Sequence, residues 1–137
     1  MSPAFARRLA VLAIAAAGAA CADALPEQDL RILSLTPTSK LSTDLLWIDY
    51  QADRAAADAK YWGEPIEVTG RVSSVTQDPP RILFLQQEEP PVGVEARLLD
   101  ERAAETLAAA TAGERLTLRC FCEGLAGNVL LKSCIRP

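Results

Sequence analysis

The chain has 137 residues, half of them apolar, with 14 Lys and Arg against 18 Asp and Glu and a formal net charge of −4. It contains no histidine, which removes the commonest general base and the commonest metal ligand. Its acidic balance disfavours partners that are held by phosphate charge.

Arg7 and Arg8 precede an uncharged apolar run over residues 9–20, and small residues follow up to Cys21. This is the layout of a secretory signal peptide. The run is shorter than the roughly 20 residues that a membrane-spanning helix needs. Residues 1–22 are therefore read as a leader, and the mature chain is expected in the periplasm or outside the cell. Gly18-Ala19-Ala20-Cys21 resembles a bacterial lipobox, with Gly18 where Leu is common. Cys21 is thus a candidate lipidation site that would hold the domain at a membrane surface. Ala20-Cys21-Ala22 and Ala22-Asp23-Ala24 also fit ordinary cleavage, which would release it, and both outcomes stay open. Without the two leader arginines, twelve cations face eighteen carboxylates, a net charge of −6.

Residues 23–41 hold Pro26 and Pro37 and no clear period, and read as a tether with a short ordered piece from Leu30 to Leu35. A helix is predicted over 42–60. Ser42 or Thr43 can cap it, and Asp44 suits its positive end. Leu45, Ile48, Ala52, Ala55, Ala56 and Ala59 form one apolar stripe at helical spacing. Gly63 and Pro65 stop the helix. Ile66, Val68, Gly70 and Val72 then alternate with Glu67, Thr69, Arg71 and Ser73, the period of a half-buried strand. Gly70, at an inward slot with no side chain to pack, predicts a bend or bulge.

Asp78-Pro79-Pro80 breaks the run. A second strand is predicted over 81–86, a turn over 88–91 and a third strand over 92–98. Asp100 can cap a helix over 101–112, and Gly113 suits its left-handed end. A fourth strand places Leu116, Leu118, Cys120 and Cys122 on one face and Arg115, Thr117, Arg119 and Phe121 on the other. A glycine-containing turn over 123–128 leads to a fifth strand over 129–135. The order reads as a mainly β fold: a five-stranded OB-like Greek-key barrel, one helix before the first strand and one between the third and fourth. An open α+β sheet with the same elements is the alternative. The domain is expected over 42–137.

Two stretches carry a family resemblance. Ala57-Asp58-Ala59-Lys60-Tyr61 and the run from Gly63 through Gly70 to Val75 resemble the opening of the tRNA_anti-like family. Gly113 to Gly124, containing Arg119-Cys120-Phe121-Cys122, and then Asn128 to Cys134 resemble its close. The resemblance covers roughly residues 42–136. It implies an OB-like fold that is frequently exported or lipidated, in a family whose name records likeness to a nucleic-acid-binding fold. It also implies a disulfide between Cys122 and Cys134. The chain departs from the family at Cys120, where Gly is usual, and at Ala96, where a Cys is often found.

The residues leave other fates open for the cysteines. A tight hairpin about Leu125 and Ala126 would set Cys122 opposite Val129, so a Cys122–Cys134 bridge needs a bulge or a longer turn to bring the Cα atoms within about 7 Å. Cys120 and Cys122 share a face and can be buried as small hydrophobes. A metal or redox role for Cys-x-Cys has no histidine to help it. Glu88-Glu89 and Asp100-Glu101 read as turn and cap residues rather than an acid/base pair.

Arg71, Arg97, Arg119 and Phe121 point away from the predicted core, and Arg81 opens the second strand. They form the candidate ligand site, because OB folds bind on strands two and three and the adjoining loops. Trp47, Tyr50, Tyr61 and Trp62 are expected to pack the first helix onto the barrel. The reading is an exported, non-enzymatic OB-like module of the bacterial envelope, with no cofactor and no metal. Its partner is an unknown envelope ligand or a protein, and it meets a membrane only through a lipid at Cys21. The acidic charge speaks against nucleic acid. Single-stranded nucleic-acid or oligonucleotide binding through the OB face is the alternative, on fold analogy alone.

Overall fold

A computed structural model describes residues 27–86 and 93–137. The leader with Cys21, the first residues of the expected tether and the turn expected over 88–91 lie outside the described residues. The elements are β1 (Ser39–Ser42), α1 (Thr43–Ala52), α2 (Arg54–Tyr61), β2 (Pro65–Val75), β3 (Ile82–Gln86), β4 (Gly93–Leu98), α3 (Asp100–Ala109), β5 (Arg115–Ala126) and β6 (Asn128–Ile135). A 3-10 turn at Leu30–Leu33 precedes them. The sheet runs β1-β2-β3-β4-β6-β5, and β5 pairs back onto β2. Strands β2 to β6 thus close into a five-stranded barrel, with β4 and β6 parallel and the other barrel neighbours antiparallel. This is the OB-like barrel expected from the order of elements. β1 is an addition, parallel to β2.

Closure follows from the length and alternation of β2. Its inward side chains Ile66, Val68 and Val72 are buried. Residues 65–71 pair with β5 and residues 71–75 with β3, so that Arg71 meets both neighbours, and the β2–β3 pairing carries a register shift between Val72 and Ser74. The irregularity thus lies just past Gly70 rather than at it, and Gly70 pairs regularly with Leu116. Gly70 itself has another role. A Cβ there would lie 2.6 Å from Thr43 Cγ2, so the missing side chain is what lets the first turn of α1 seat against the barrel.

The single helix expected over 42–60 is two. Ser42 caps α1 by accepting from Leu45 N at 3.1 Å. Asp53, with φ −160° and ψ 101°, ends α1 and caps α2 by accepting from Ala56 N at 3.1 Å. The break changes the phase of the apolar pattern. Leu45 and Ile48 of the expected stripe are 47% and 57% exposed, while Leu46, Tyr50, Ala57 and Tyr61 are buried. Two tyrosines bury more apolar area than the alanines they displace, provided each hydroxyl finds a partner. Both do. Tyr50 of α1 donates to Asp58 Oδ1 of α2 at 2.9 Å, and Tyr61 of α2 donates to Asp49 Oδ2 of α1 at 2.6 Å. Trp47 packs partly buried on the core as expected, but Trp62 is 38% exposed.

The expected tether is part of the fold from residue 27 onward. Ile32 is fully buried and forms a second small core with Leu99, Phe121 and Ile135 under the barrel. Asp29 N donates to Ser133 Oγ at 2.8 Å. Gln28 reaches the start of α3: its Oε1 accepts from Asp100 N at 2.8 Å and its Nε2 donates to Leu98 O at 3.2 Å. The N-cap of α3 is therefore the buried Leu99, without a side-chain cap, and Asp100 is inside the first turn. Gly113, with φ 87°, sits in the turn after the helix and donates to Val72 O at 2.7 Å. The turn expected over 123–128 contracts to Gly127, because β5 runs on to Ala126 through a register shift between Cys122 and Gly124.

The implied Cys122–Cys134 bridge is corrected. Cys134 bonds to Cys120, with Cα atoms 4.3 Å apart, and Cys122 is a free, buried thiol. The hairpin register explains it. Arg119 pairs with Ile135 and Phe121 with Lys132, so the extra residue in β6, near Ser133 at φ 54°, brings Cys134 against Cys120, while Cys122 lies opposite Leu131.

Gly70→Ala is expected to lower stability by about 1–3 kcal/mol through collision with Thr43, read as a lower midpoint in urea unfolding. Cys134→Ser is expected to cost about 3 kcal/mol, the value for a loop of this length, and to add one reactive thiol to the denatured, non-reduced protein. Cys122→Ser should leave the bridge intact and remove one.

Candidate functional site

The β2–β3 loop is tied by one side chain. Thr76 Oγ1 donates to Pro80 O at 3.0 Å and accepts from Ile82 N at 2.8 Å. Its backbone N–H reaches Ile82 O at 2.9 Å. This fixes Pro79, Pro80 and Arg81 at the entrance to β3. Arg81 O then accepts from Leu98 N at 3.0 Å, which joins the loop to the end of β4. Opposite, the bonds of Asp29 and Glu27 to Ser133 bring Glu27 and Gln28 over the same edge. Between these walls lies a cleft of about 390 Å³, with Arg81, Arg97, Glu27 and Asp100 as its charged lining. Arg97 Nη1 is 2.6 Å from Glu27 Oε1. The lining therefore carries two cations and two carboxylates. A smaller hollow of about 120 Å³ continues along β4 and β6 beside Arg97, where Lys132 Nζ pairs with Glu123 Oε1 at 2.8 Å.

Of the five residues proposed from sequence, Arg81 and Arg97 meet in this cleft. Arg71 and Arg119 do not. They lie on the outer face of β2 and β5, where Arg71 pairs with Arg115 and Glu67 with Arg119. β4 shares no edge with β2 or β5, so the two sets occupy opposite sides of the barrel. Phe121 is corrected as a ligand residue, being 1% exposed. Alternation rightly placed it outside the barrel, but residues 30–35 cover it. The Arg31 guanidinium stands 5.4 Å from its ring centroid and is held by Asp29, with Nη2 2.6 Å from Oδ2. Hydrogen bonds from Arg31, opposed in part by burial, hold the Asp29 carboxyl below its ordinary range. The outward aromatic on β3 is Phe84, half-buried between Ser74 of β2 and Glu95 of β4.

Sequence reasoning missed Glu27 and Gln28, which carry no motif and sit in a segment without periodicity. It placed Arg115 on the outward face but could not pair it with Arg71, because that needs the β2–β5 register. Cys122 lies 3.4 Å from Tyr50 Oη, and burial pushes its thiol up, away from reactivity. Burial, then the bond to Asp49, pushes Tyr61 up to about 12. Burial likewise raises Tyr50. Both phenols therefore remain neutral donors at ordinary pH. Glu88 and Glu89 lie outside the described residues, and Asp100 and Glu101 occupy the first turn of α3. Among the described residues no group of three or more Cys, Asp or Glu could hold a metal ion, and no helix is long and apolar enough to cross a membrane.

A closed five-stranded barrel with this strand order defines a protein of the OB-like fold class. The profile of the tRNA_anti-like family matches residues 5–135, and the chain belongs to that family. No curated protein matches it. Among solved structures it is similar to a "putative nucleic acid-binding lipoprotein" from Klebsiella pneumoniae subsp. pneumoniae. The identity is 13% and the TM-score 0.56, over 80% of this chain and 97% of that one. At that identity the likeness is one of fold.

Proposed function

We propose that this protein is an exported, non-enzymatic binding module of the bacterial cell envelope. It takes a polar envelope component or a segment of a partner protein into the cleft between the β2–β3 loop and the end of β4. The leader over 1–22 supports export, and the lipobox-like Cys21 supports a lipid anchor. The observation that carries the reading is the Arg97–Glu27 pair, 2.6 Å apart inside the cleft. The arginine best placed for an anion already has a carboxylate, and Asp100 lies on the same lining as Arg81. A phosphate chain would have to displace Glu27 and approach Asp100 as well. A ligand bearing both charges, such as a peptide or an amino-sugar peptide, can satisfy both signs of the lining.

Single-stranded nucleic acid is the second reading. It is favoured by Phe84, an outward aromatic on β3 of the kind on which bases stack, and by the fold likeness to the lipoprotein described as nucleic acid-binding.

Titration of the protein with soluble peptidoglycan fragments and with short single-stranded DNA and RNA at physiological salt separates the two. The expected result is fragment binding that Arg97→Ala weakens by about tenfold or more, the loss for a charged hydrogen bond. Oligonucleotide binding that falls steeply with salt and is lost in Phe84→Ala would overturn the proposal in favour of the second reading. Silence in both arms would leave the protein-segment form, tested by co-purification from the envelope with wild type and Arg97→Ala.

A further inference from the structure

The outer face of β2 and β5 is a ladder of three rungs. Arg71 is opposite Arg115, Thr69 is opposite Thr117, and Glu67 is opposite Arg119. The two threonine hydroxyls are 2.8 Å apart, which fixes these side chains on one face. Lys40 of β1 lies at its edge, 3.9 Å from Glu67. The face therefore carries four cations and one carboxylate on a chain that is acidic as a whole.

Two features of the ladder cost folding stability. Like charges directly opposite each other on neighbouring strands repel, and among the described residues neither Arg71 nor Arg115 has an ion-pair partner. Arg119 Nε is buried and has no hydrogen-bond partner, an unmet donor that folding alone leaves at a penalty. The repulsion between Arg71 and Arg115 is relieved by anionic acceptors from outside the chain. We infer that this face is a second binding surface, distinct from the cleft, and that its occupant is the anionic headgroup layer of a phospholipid bilayer.

Charge complementarity and shape select that occupant. The ladder extends about 14 Å along the strands and offers guanidinium forks for phosphate oxygens. The hydroxyls between them bond each other, and among the described residues neither β2 nor β5 exposes an aromatic ring for a base to stack on. A single strand would find charge there and nothing else, whereas a headgroup layer asks for nothing else. Because the ladder and β4 are on opposite sides of the barrel, a domain resting on its arginines turns the Arg81–Arg97 cleft away from the membrane.

The test is partition of the full chain carrying Cys21→Ser, so that no acyl chain contributes, onto vesicles of phosphatidylcholine with and without phosphatidylglycerol. The leader, with Arg7 and Arg8, is the same in the parent and in every variant, so a difference between them reads the ladder alone. The expected result is tighter partition onto the anionic vesicles. Arg71→Gln or Arg115→Gln should each weaken it about fivefold, and Arg102→Gln, on α3, should not. Arg71→Gln should melt no lower than the parent, since it relieves a repulsive pair, so lost partition cannot be lost folding. Equal partition on both vesicles, or insensitivity to Arg71 and Arg115, would overturn the inference. So would oligonucleotide binding tighter than vesicle binding with the same arginine dependence.

Discussion

Barrel closure rests on one strand serving two neighbours. β2 gives residues 65–71 to β5 and residues 71–75 to β3, and Arg71 is the residue that both neighbours share. The same strand takes β1 on its other edge and, at Gly70, admits Thr43 of α1. Helices, added strand and barrel are therefore registered by a single eleven-residue segment. A one-residue slip would turn Ile66, Val68 and Val72 to solvent. It would also dissolve the arginine ladder, which exists only in this register.

Around that strand, polar bonds set the positions that hydrophobic burial leaves undetermined. The reciprocal bonds between Tyr50 and Asp58 and between Tyr61 and Asp49 fix the angle of the helix pair. The Cys120–Cys134 bridge fixes the β5–β6 register next to the bulge that makes it. Ser133, buried at positive φ, takes the Asp29 N–H and donates to Glu27 O. One irregular residue in β6 thus both aligns the cysteines and seats the N-terminal segment that completes the cleft.

The barrel was legible because its strands alternate and its order is distinctive. Ile66 to Val72 and Leu116 to Cys122 point as period two requires. What could not be read depends on phase or register. The helix break at Asp53 turned an apparent core stripe into a surface one. The disulfide choice between Cys120 and Cys122 turned on one extra residue near Ser133. The arginines looked like one site because strand faces can be read from alternation while strand neighbours cannot. Phe121 was placed correctly outside the barrel, but nothing in residues 27–35 announced that they would cover it.

This domain has two separate faces, a charge-balanced cleft at Arg81 and Arg97 and a basic ladder at Arg71, Arg115 and Arg119. Backbone amide shift mapping during titration with soluble peptidoglycan fragments tests it most directly. Shifts are expected at Glu27, Gln28, residues 76–78, Arg81 and residues 97–100, with Arg71, Arg115 and Arg119 unmoved. One continuous perturbed surface joining both arginine sets, or shifts confined to β2 and β5, would contradict it.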